Sequence, residues 1–394
     1  MVKPTKIIIG VNYGDEGKGL ATAHFALDAK KKNKKCLNVL FNGGPQRGHT
    51  VELKNGFHHI FHHFGAGSVY YADTYFDEPF MVNPVHFVRE YYELGEKGIK
   101  PLCYICPNCR VITPYDEIIN QVVELARDKN KHGSCGFGIW ETQKRYEAGR
   151  GLYYGDLINS SNKELLSYLK NIRLNYLPTR FRSYGITRDM IPHEYSFIFD
   201  DQRCDGIDSH YIEDLRQMGT LCHIKEFGFL SDIYDYFIFE GAQGLALDAD
   251  NESMKPYVTA SNTGASYPLE RIKIYPELYD NAEIIYVTRS YFTRHGAGPL
   301  KGECDKELIG DIEFDRTNAS NLWQGTIRYA KFDQTDLEDR IKKDLEKLSN
   351  KDLYAEAHIM ITHLNEVKLT IRMNKLFERA YLSRSFYPDE IFSS

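Results

Sequence analysis

Apolar runs and segments of helical periodicity alternate along the chain. Short apolar runs that are long enough for buried strands lie at 5–10, 36–42, 236–242, 283–288 and 355–364. Apolar residues that recur about every 3.6 positions predict helices at 20–32, 84–97, 115–130 and 334–348. Strands that alternate with helices indicate an α/β fold, with a large, mainly parallel central sheet and flanking helices and loop excursions.

Two segments qualify this pattern. The helical segment 334–348 is amphipathic, and Thr335 is its candidate N-cap. The stretch 150–235 is rich in Tyr, Arg and Asn and has weak periodicity, so it is expected to leave the sheet as a helical or loop excursion. Because no repeat, linker or low-complexity tract interrupts the chain, a single domain over 1–394 is expected.

Composition places the chain among globular proteins. Of its 394 residues 42% are hydrophobic and 26% are charged, and the formal net charge is -6. A net acidic chain argues against a general nucleic-acid binder, although local basic pockets for phosphates are compatible with it. No secretory signal opens the sequence, and no apolar stretch reaches the roughly 18 residues of a membrane span. A cytoplasmic protein without membrane or nucleic-acid partners is therefore expected.

Three of the cysteines are closely spaced. Cys103, Cys106 and Cys109 stand at metal-like spacing in LCYICPNCR. A zinc site needs a fourth ligand, and none lies nearby at suitable spacing. The favoured interpretation is a strand that leads into a turn at 107–108, with the reduced thiols of a cytoplasmic protein.

A glycine-rich loop with charged residues follows the first predicted strand. It reads GVNYGDEGKG over residues 10–19 and leads into a predicted helix. Glycines expose backbone N–H groups, a helix N-terminus favours anions, and Lys18 adds a positive charge, so the loop predicts phosphate binding. It is not a Walker A motif, because Asn12 and Gly19 stand where that motif has Gly and Ser or Thr. The alternative is a tight structural turn with a solvated Lys18.

A second glycine loop, GGPQRGHT at 43–50, follows the next predicted strand. Both loops should therefore open at the same edge of the sheet, where ligands collect in α/β proteins. His49 is a candidate general acid at this edge. The alternative is a histidine with a purely structural role.

A third polar segment comes later in the chain. FEGAQG at 239–244 is followed by PYVTASNTG at 256–264. Small residues around Gln243 let its amide approach a ligand closely, and the later hydroxyl and amide groups can donate hydrogen bonds to a phosphate. The alternative is an ordinary turn.

These three segments, in this order, resemble the adenylosuccinate synthetase family, which carries GDEGKG, GGxxxGHT, and FEGAQG with VTSSNT. A fourth segment, TRSYFTRHGAGP at 288–299, is similar to the family's TR-x-GAGP. The resemblance runs from about residue 5 to residue 333. It implies the family's fold, which is related to P-loop folds, and the family's habit of forming homodimers.

The resemblance also implies a reaction. Family members phosphorylate O6 of a 6-oxopurine nucleotide with a nucleoside triphosphate, and L-aspartate then displaces the phosphate. Asp15 matches the base that removes the N1 proton, and His49 matches the acid that stabilises the phosphoryl group. Mg2+ is implied, with Asp15 and the carbonyl of Gly48 as its ligands, because hard oxygens suit it. Lys18 is implied to neutralise phosphate charge, and Gln243 to lie near the 6-phosphoryl oxygens.

Other positions are implied to contact nucleotide or phosphate. Gln46, Thr259 and Ser134 match positions around the monophosphate of the acceptor. The loop residues implied to lie near phosphate are Gly14, Glu16, Gly17, Gly19, Gly48 and Thr50.

The donor-binding segment departs from the family pattern. The family has TKLD, whose Asp reads the guanine of GTP, whereas this chain has Thr362-His363-Leu364-Asn365. Guanine presents donors at N1 and N2 and so favours a carboxylate, while an amide suits the acceptor N1 and the donor N6 of adenine. The departure favours ATP or dATP over GTP, with His363 and Asn365 at the donor base.

The aspartate-binding loop departs as well. The family's loop is rich in Arg before WLD, and here the matching segment is RTNASNLWQGTIRYAKFD at 316–333. Asn318, Thr326 and Arg328 are the candidates for binding aspartate. Arg328 with Thr326 can clamp a carboxylate.

These departures resemble the phage branch of the family, whose members have SNTG, TRHGAGPL and WQGxxR segments. That branch converts dGMP and aspartate to 2-amino-2′-deoxyadenylosuccinate, a precursor of diaminopurine in viral DNA, and a viral protein would act in the host cytoplasm. Asp15 argues against the phage branch, because many members of that branch have Ser at this position. The prediction is dGMP as the acceptor. The alternatives are an adenylosuccinate synthetase that uses IMP and GTP, and an inactive nucleotide-binding protein.

Overall fold

The computed structural model describes residues 2–128, 131–312, 323, 325–369, 372 and 375–393. Its strands are β1 (Thr5–Gly10), β2 (Cys36–Leu40), β3 (His49–Glu52), β4 (His58–Phe61), β5 (Asp73–Phe76), β6 (Met81–Val82), β7 (Cys103–Ile105), β8 (Arg110–Val111), β9 (Cys222–Ile224), β10 (Tyr236–Gly244), β11 (Ala282–Arg289), β12 (Phe292–Arg294), β13 (Arg328–Ala330), β14 (Glu356–Thr362), β15 (Arg379–Ser383) and β16 (Ile391–Ser393). Its helices are α1 (Lys18–Lys31), α2 (Pro84–Glu96), α3 (Pro114–Ala126), α4 (Ile139–Glu147), α5 (Tyr154–Asn159), α6 (Asn162–Asn171), α7 (Leu177–Ser183), α8 (Asp201–Leu221), α9 (Phe227–Ile233), α10 (Ser266–Ile272), α11 (Pro276–Tyr279) and α12 (Gln334–Ser349).

Within these residues ten strands form one sheet, in the order β16-β15-β14-β11-β1-β10-β2-β5-β7-β9. Neighbouring strands are parallel except for the edge pair β15–β16. The predicted α/β fold with a mainly parallel sheet is confirmed.

The apolar pattern of the central strand follows from burial on both faces. Every residue of β1 is buried. Ile7 and Ile9 pack into one hydrophobic cluster, while Ile8 packs into a second cluster with residues of α1. Parallel strands covered by helices on both faces have continuous apolar runs, because neither face meets water.

The parallel arrangement brings the polar segments together. β1, β10 and β2 are neighbours and run in the same direction, so the segments that follow them open at the same edge. β11 and β14 lie on the other side of β1 and end at this edge as well. The prediction that the two glycine loops share an edge is confirmed.

The last predicted helix exists, but its predicted N-cap was wrong. α12 begins at Gln334, and Asp333 is the cap, with its carboxylate accepting a hydrogen bond from the backbone N–H of Asp336 at 3.1 Å. Thr335 lies inside the first turn. Both residue types cap helices, and a carboxylate in addition interacts favourably with the helix dipole.

The stretch 150–235 is mainly helical, containing α5 to α9 and the edge strand β9. The cysteine segment forms β7 and a turn at 107–108, as predicted. The single S–H of Cys109 is shared between the carbonyls of Phe76 and Asp77, which lie 3.3 and 3.1 Å from Sγ. Among the described residues, no group of His, Cys, Asp and Glu side chains has the arrangement of a metal site. No helix in the described part of the chain is both long and apolar enough to cross a bilayer.

Candidate active site

The two glycine loops pack directly against each other. A Cβ atom on Gly19 would lie 2.9 Å from Cβ of His49 and 3.0 Å from the carbonyl oxygen of Thr50, so only glycine fits there. At the other end of the first loop, Gly17 has φ 91° and a Cβ on it would lie 3.1 Å from the Thr362 side chain. The first loop therefore touches both the second loop and the end of β14.

A buried ion pair closes the first loop. The Glu16 carboxylate accepts hydrogen bonds from the backbone N–H groups of Asn12 and Gly14, each at 2.9 Å. Lys18 Nζ donates to Glu16 and to the Gly14 carbonyl, each at 2.8 Å. Lys18 is 1% exposed, so the alternative of a solvated lysine was wrong. Two of the loop's backbone donors and its lysine are thus already hydrogen-bonded within the loop.

Asp15 stands between two basic side chains. Its Oδ2 lies 3.6 Å from Nε2 of His295, and its backbone carbonyl accepts a hydrogen bond from Nε of Arg289. Oδ2 is buried and accepts no hydrogen bond from the described residues. Burial raises the pKa of Asp15, against the opposing charges of His295 and Arg289. A raised pKa makes a carboxylate a stronger base.

His49 is oriented by a second buried glutamate. Glu240 Oε1 lies 2.5 Å from His49 Nδ1 and 2.8 Å from Arg47 Nη2, and Oε2 accepts from the backbone N–H of Ala66 at 3.0 Å. Although burial opposes ionisation, Arg47 and His49 hold the pKa of Glu240 below its usual range. An ionised Glu240 accepts the Nδ1–H of His49, which leaves Nε2 as the nitrogen available to a ligand. Burial, reinforced by Arg47 and opposed by Glu240, lowers the pKa of His49 to about 4.

His295 and several of the predicted residues line a cavity of about 590 Å³, whereas Asp15 and His49 do not contribute to its wall. Gln46, Ser134, Gln243 and Thr259 all contribute to its wall. The amide of Gln46 is buried and has no hydrogen-bond partner among the described residues, which is what a group that meets a ligand would show. Gln243 has a left-handed φ of 61°, a conformation that costs a non-glycine residue free energy and is concentrated at functional sites.

The third polar segment is tied to the second glycine loop. The Ser261 hydroxyl accepts a hydrogen bond from the backbone N–H of Gly43 at 3.2 Å. The Asn42 amide donates to the carbonyls of Ala242 and Asn262, at 3.2 and 3.0 Å. These hydrogen bonds fix residues 261 and 262 of the segment, and Thr259 of the same segment lines the cavity.

The segment predicted to bind the donor base, at 362–365, lies outside this cavity, beside the first loop. The Thr362 hydroxyl donates to the Glu16 carbonyl at 2.8 Å, and the Ser290 hydroxyl donates to the His363 carbonyl at 2.9 Å. His363 has φ 61°, and its ring packs edge-on against Tyr291. Asn365 is exposed. Neither His363 nor Asn365 lines the cavity.

Other predicted residues lie around these groups. Gly14 packs against Gln243, Thr50 is half-buried in β3, and Gly48 is exposed. Arg328 lies in β13, opposite Arg294 of β12, and Thr326 is exposed. Asn318 lies outside the described residues.

Sequence reasoning missed the residues that support the site. Arg47 lies in GGPQRGHT and Glu240 in FEGAQG, but no role was predicted for either residue. Arg289 and His295 lie in TRSYFTRHGAGP, and no role was predicted for them. One signal was available: Glu240 interrupts the apolar run YFIFEGA, and a charge in a buried strand requires a partner. That partner lies 191 residues away in sequence, so local patterns do not identify it.

The fold and the site define an α/β protein of the nucleotide-binding kind, with a ligand cavity and two glycine loops at the carboxyl edge of a parallel sheet. The family model for adenylosuccinate synthetase matches residues 7–319. The chain belongs to the adenylosuccinate synthetase family.

Curated relatives carry the same name. The adenylosuccinate synthetase of Pseudomonas fluorescens Pf-5 is 30% identical over 318 residues, which are 78% of this chain and 66% of the relative. That of Trichodesmium erythraeum is 28% identical over 314 residues, which are 79% of this chain and 66% of the relative. The chain thus matches slightly less than two thirds of these relatives' length.

Solved structures share the fold. The fully ligated adenylosuccinate synthetase of Plasmodium falciparum superposes with a TM-score of 0.67 at 19% identity, covering 99% of this chain and 86% of that one. The cyanophage S-2L succinoaminodeoxyadenylate synthetase, bound to dGMP and dATP, superposes with a TM-score of 0.64 at 13% identity, covering 100% and 95%.

Proposed function

We propose that the protein is a Mg2+-dependent carbon–nitrogen ligase that joins L-aspartate to C6 of dGMP, with ATP or dATP as the phosphoryl donor. The product is 2-amino-2′-deoxyadenylosuccinate. The observation that carries the proposal is a cavity of about 590 Å³ whose wall contains Gln243 and His295, with Asp15 Oδ2 lying 3.6 Å from Nε2 of His295.

Asp15 starts the reaction. A 6-oxopurine is a poor phosphoryl acceptor until N1 loses its proton, and Asp15 takes that proton. O6 then attacks the γ-phosphorus of the donor, and the nucleoside diphosphate leaves. The amine of aspartate next attacks C6 and loses a proton, and the C6–O6 bond breaks, so that O6 leaves as part of inorganic phosphate. The buried Oδ2 of Asp15 and its raised pKa suit this base role.

His49 acts on the phosphoryl group. Glu240 holds Nδ1, so Nε2 hydrogen-bonds the transferring oxygens. Negative charge that arrives beside the imidazole favours its protonated form, which offsets the effect of burial on its pKa. Phosphoryl transfer depends mainly on alignment and charge neutralisation, and an oriented imidazolium supplies both.

The oxygen ligands available here fit Mg2+. A buried carboxylate oxygen that accepts no hydrogen bond from the described residues is a suitable hard ligand, and Asp15 Oδ2 is such an atom. Asp15 and the carbonyl of Gly48 would hold the ion, which would neutralise charge on the donor phosphates.

Two features support dGMP and an adenine donor. The SNTG, TRHGAGPL and WQG segments resemble the phage branch, and Asn365 replaces the carboxylate expected for guanine. The cyanophage enzyme bound to dGMP and dATP and the Plasmodium adenylosuccinate synthetase both share this fold, so the fold itself does not choose between the acceptors.

The second candidate is an adenylosuccinate synthetase that uses IMP and GTP. The retained Asp15 favours it, as do the names of the curated relatives. IMP and dGMP present the same O6 and N1–H, so the reacting groups do not choose between them. A third candidate, an inactive nucleotide-binding protein, is disfavoured by the intact Asp15, Lys18, His49 and Gln243.

One experiment separates these functions. The protein is incubated with L-aspartate, Mg2+ and either ATP or GTP, with IMP, GMP and dGMP offered singly and in equimolar competition. Products are identified by mass, with Asp15→Asn as the control for background. We expect the succinyl product of dGMP, with ATP preferred.

Dominance of the IMP product would establish the second candidate. Absence of aspartate-dependent phosphate release with all acceptors and both donors would establish the third.

A further inference from the structure

Arg328 is already bound to a carboxylate of the protein itself. Its Nε donates to Oε1 of Glu303 at 2.7 Å, and its Nη2 donates to Oε2 of the same side chain. Two parallel hydrogen bonds from one guanidinium edge to one carboxylate form the geometry in which arginine binds a substrate carboxylate.

The remaining donors of Arg328 fix it to the backbone. Nη1 donates to the carbonyls of Gly296 and Gly298, at 3.0 and 2.9 Å. A guanidinium has five N–H donors. Four of them are therefore engaged, and the edge that would clamp an aspartate carboxylate is the edge that Glu303 covers.

We infer that Glu303 occupies the carboxylate site of Arg328 and that substrate aspartate binds by displacing it. This inference rests on the proposed function, since it assigns the dicarboxylate subsite of that reaction. Glu303 is a competitor built into the chain, and it sets how tightly aspartate binds.

The two partners differ in freedom. The Glu303 side chain is 44% exposed and that of Arg328 is 25% exposed. Glu303 can rotate into water without leaving a buried charge, whereas Arg328 stays in place through its two backbone acceptors. Displacement therefore removes the glutamate and leaves a preorganised guanidinium.

The location suits an attack on the purine. Gly296 and Gly298 belong to the loop that carries His295, and His295 lies 3.6 Å from Asp15. Ala297 of the same loop lines the cavity. The loop at 295–298 would thus contact both Asp15, the proposed base, and the arginine that holds the carboxylate.

The test measures aspartate binding directly. Isothermal titration calorimetry compares wild-type protein with Glu303→Gln, which keeps the shape and removes the charge, and with Glu303→Ala. The matched control is Glu307→Gln, the same charge change at a nearby exposed position. Arg328→Gln is the loss-of-site variant. Succinate, which lacks the amine, is titrated as a second dicarboxylate.

We expect Glu303→Gln and Glu303→Ala to lower the Kd for aspartate and for succinate about two- to fivefold, the range that follows from the small net stabilisation of an exposed ion pair. In turnover assays the KM for aspartate should fall by a similar factor while kcat changes less. Glu307→Gln should keep the wild-type Kd, and Arg328→Gln should weaken binding.

Weaker or equal binding in both Glu303 variants would overturn the inference, because Glu303 would then support Arg328 or be irrelevant to it. An equal gain in Glu307→Gln would also overturn it, by showing a general charge effect. Absence of aspartate binding in wild type and in all variants would also overturn the inference. Because the titration needs no turnover, failure of the proposed ligase activity would be seen separately, in the product assay.

Discussion

The proposed reaction side of the site, around Asp15 and His49, and the proposed donor side, around His363 and Asn365, are built differently. Beside β1 and β10, the buried carboxylates of Glu16 and Glu240 each accept hydrogen bonds from at least two partners. At the end of β14, Asn365 is exposed and His363 is half-buried. Groups that transfer protons and phosphate must keep fixed geometry, and many simultaneous constraints provide it. If Asn365 reads the donor base as proposed, its exposed position has few constraints, so we expect a substitution there to change specificity without disturbing catalysis.

The largest effect should come from the reacting groups themselves. Asp15→Asn and His49→Asn should each lower kcat at least about 100-fold, the usual scale for loss of a general base or acid. Steady-state kinetics with saturating substrates measures this, and a thermal unfolding curve controls for folding. Turnover near the wild-type rate in either variant would contradict the role assigned to the reaction side.

The next effect concerns orientation. Glu240→Gln keeps the size of the side chain but removes the charge that fixes His49 and Arg47. We expect kcat to fall about tenfold or more, because a misplaced imidazole loses alignment with the phosphoryl group. The pH–rate profile distinguishes this from a purely structural effect, since Glu240 raises the pKa of His49 and its loss should shift the corresponding limb to lower pH. An unchanged profile with normal kcat would show that Glu240 does not position His49.

The sequence predicted the parts of this arrangement that depend on local patterns. Apolar runs located five adjacent strands of the ten-stranded sheet, β14, β11, β1, β10 and β2, and their parallel order then placed two glycine loops at one edge. The side-chain pairs were not predictable, because Glu240 and His49 are 191 residues apart and Arg328 and Glu303 are 25 apart. Such pairs depend on the register of distant segments. The Thr335 cap failed for a local reason, since two capping residues compete within three positions.

Substitution of Glu16, in the first glycine loop, should lower the free energy of unfolding more than it lowers turnover. Glu16→Gln leaves the buried Lys18 without its counter-ion, which should lower the free energy of unfolding by about 3 kcal/mol at neutral pH. Burial alone would raise the pKa of Glu16, but Lys18 and the backbone donors lower it below its ordinary value of about 4.5. The folded state therefore binds this proton less readily than the unfolded state does. The stabilisation is complete above about pH 4.5 and is lost as the pH falls through the lowered pKa.

Urea unfolding of wild type and Glu16→Gln at neutral and acidic pH measures this contribution. The difference between the two proteins should shrink on acidification below about pH 4.5. A difference that stays constant with pH would show that the charge of Glu16 is not what closes the loop.

The smallest effect is expected on the donor side. Asn365→Asp should shift the ratio of kcat/KM for GTP over ATP by about tenfold toward GTP, because a carboxylate accepts from N1–H and N2–H of guanine, while an amide matches adenine. The kcat with saturating ATP should stay close to wild type, since the reaction side is untouched. Asn350→Asp, at the exposed end of α12, is the matched control for added charge and should leave the ratio as it is. An unchanged ratio in Asn365→Asp would mean that another residue reads the donor base. A large loss of kcat would mean that the donor side is as constrained as the reaction side, and the contrast between the two would fail.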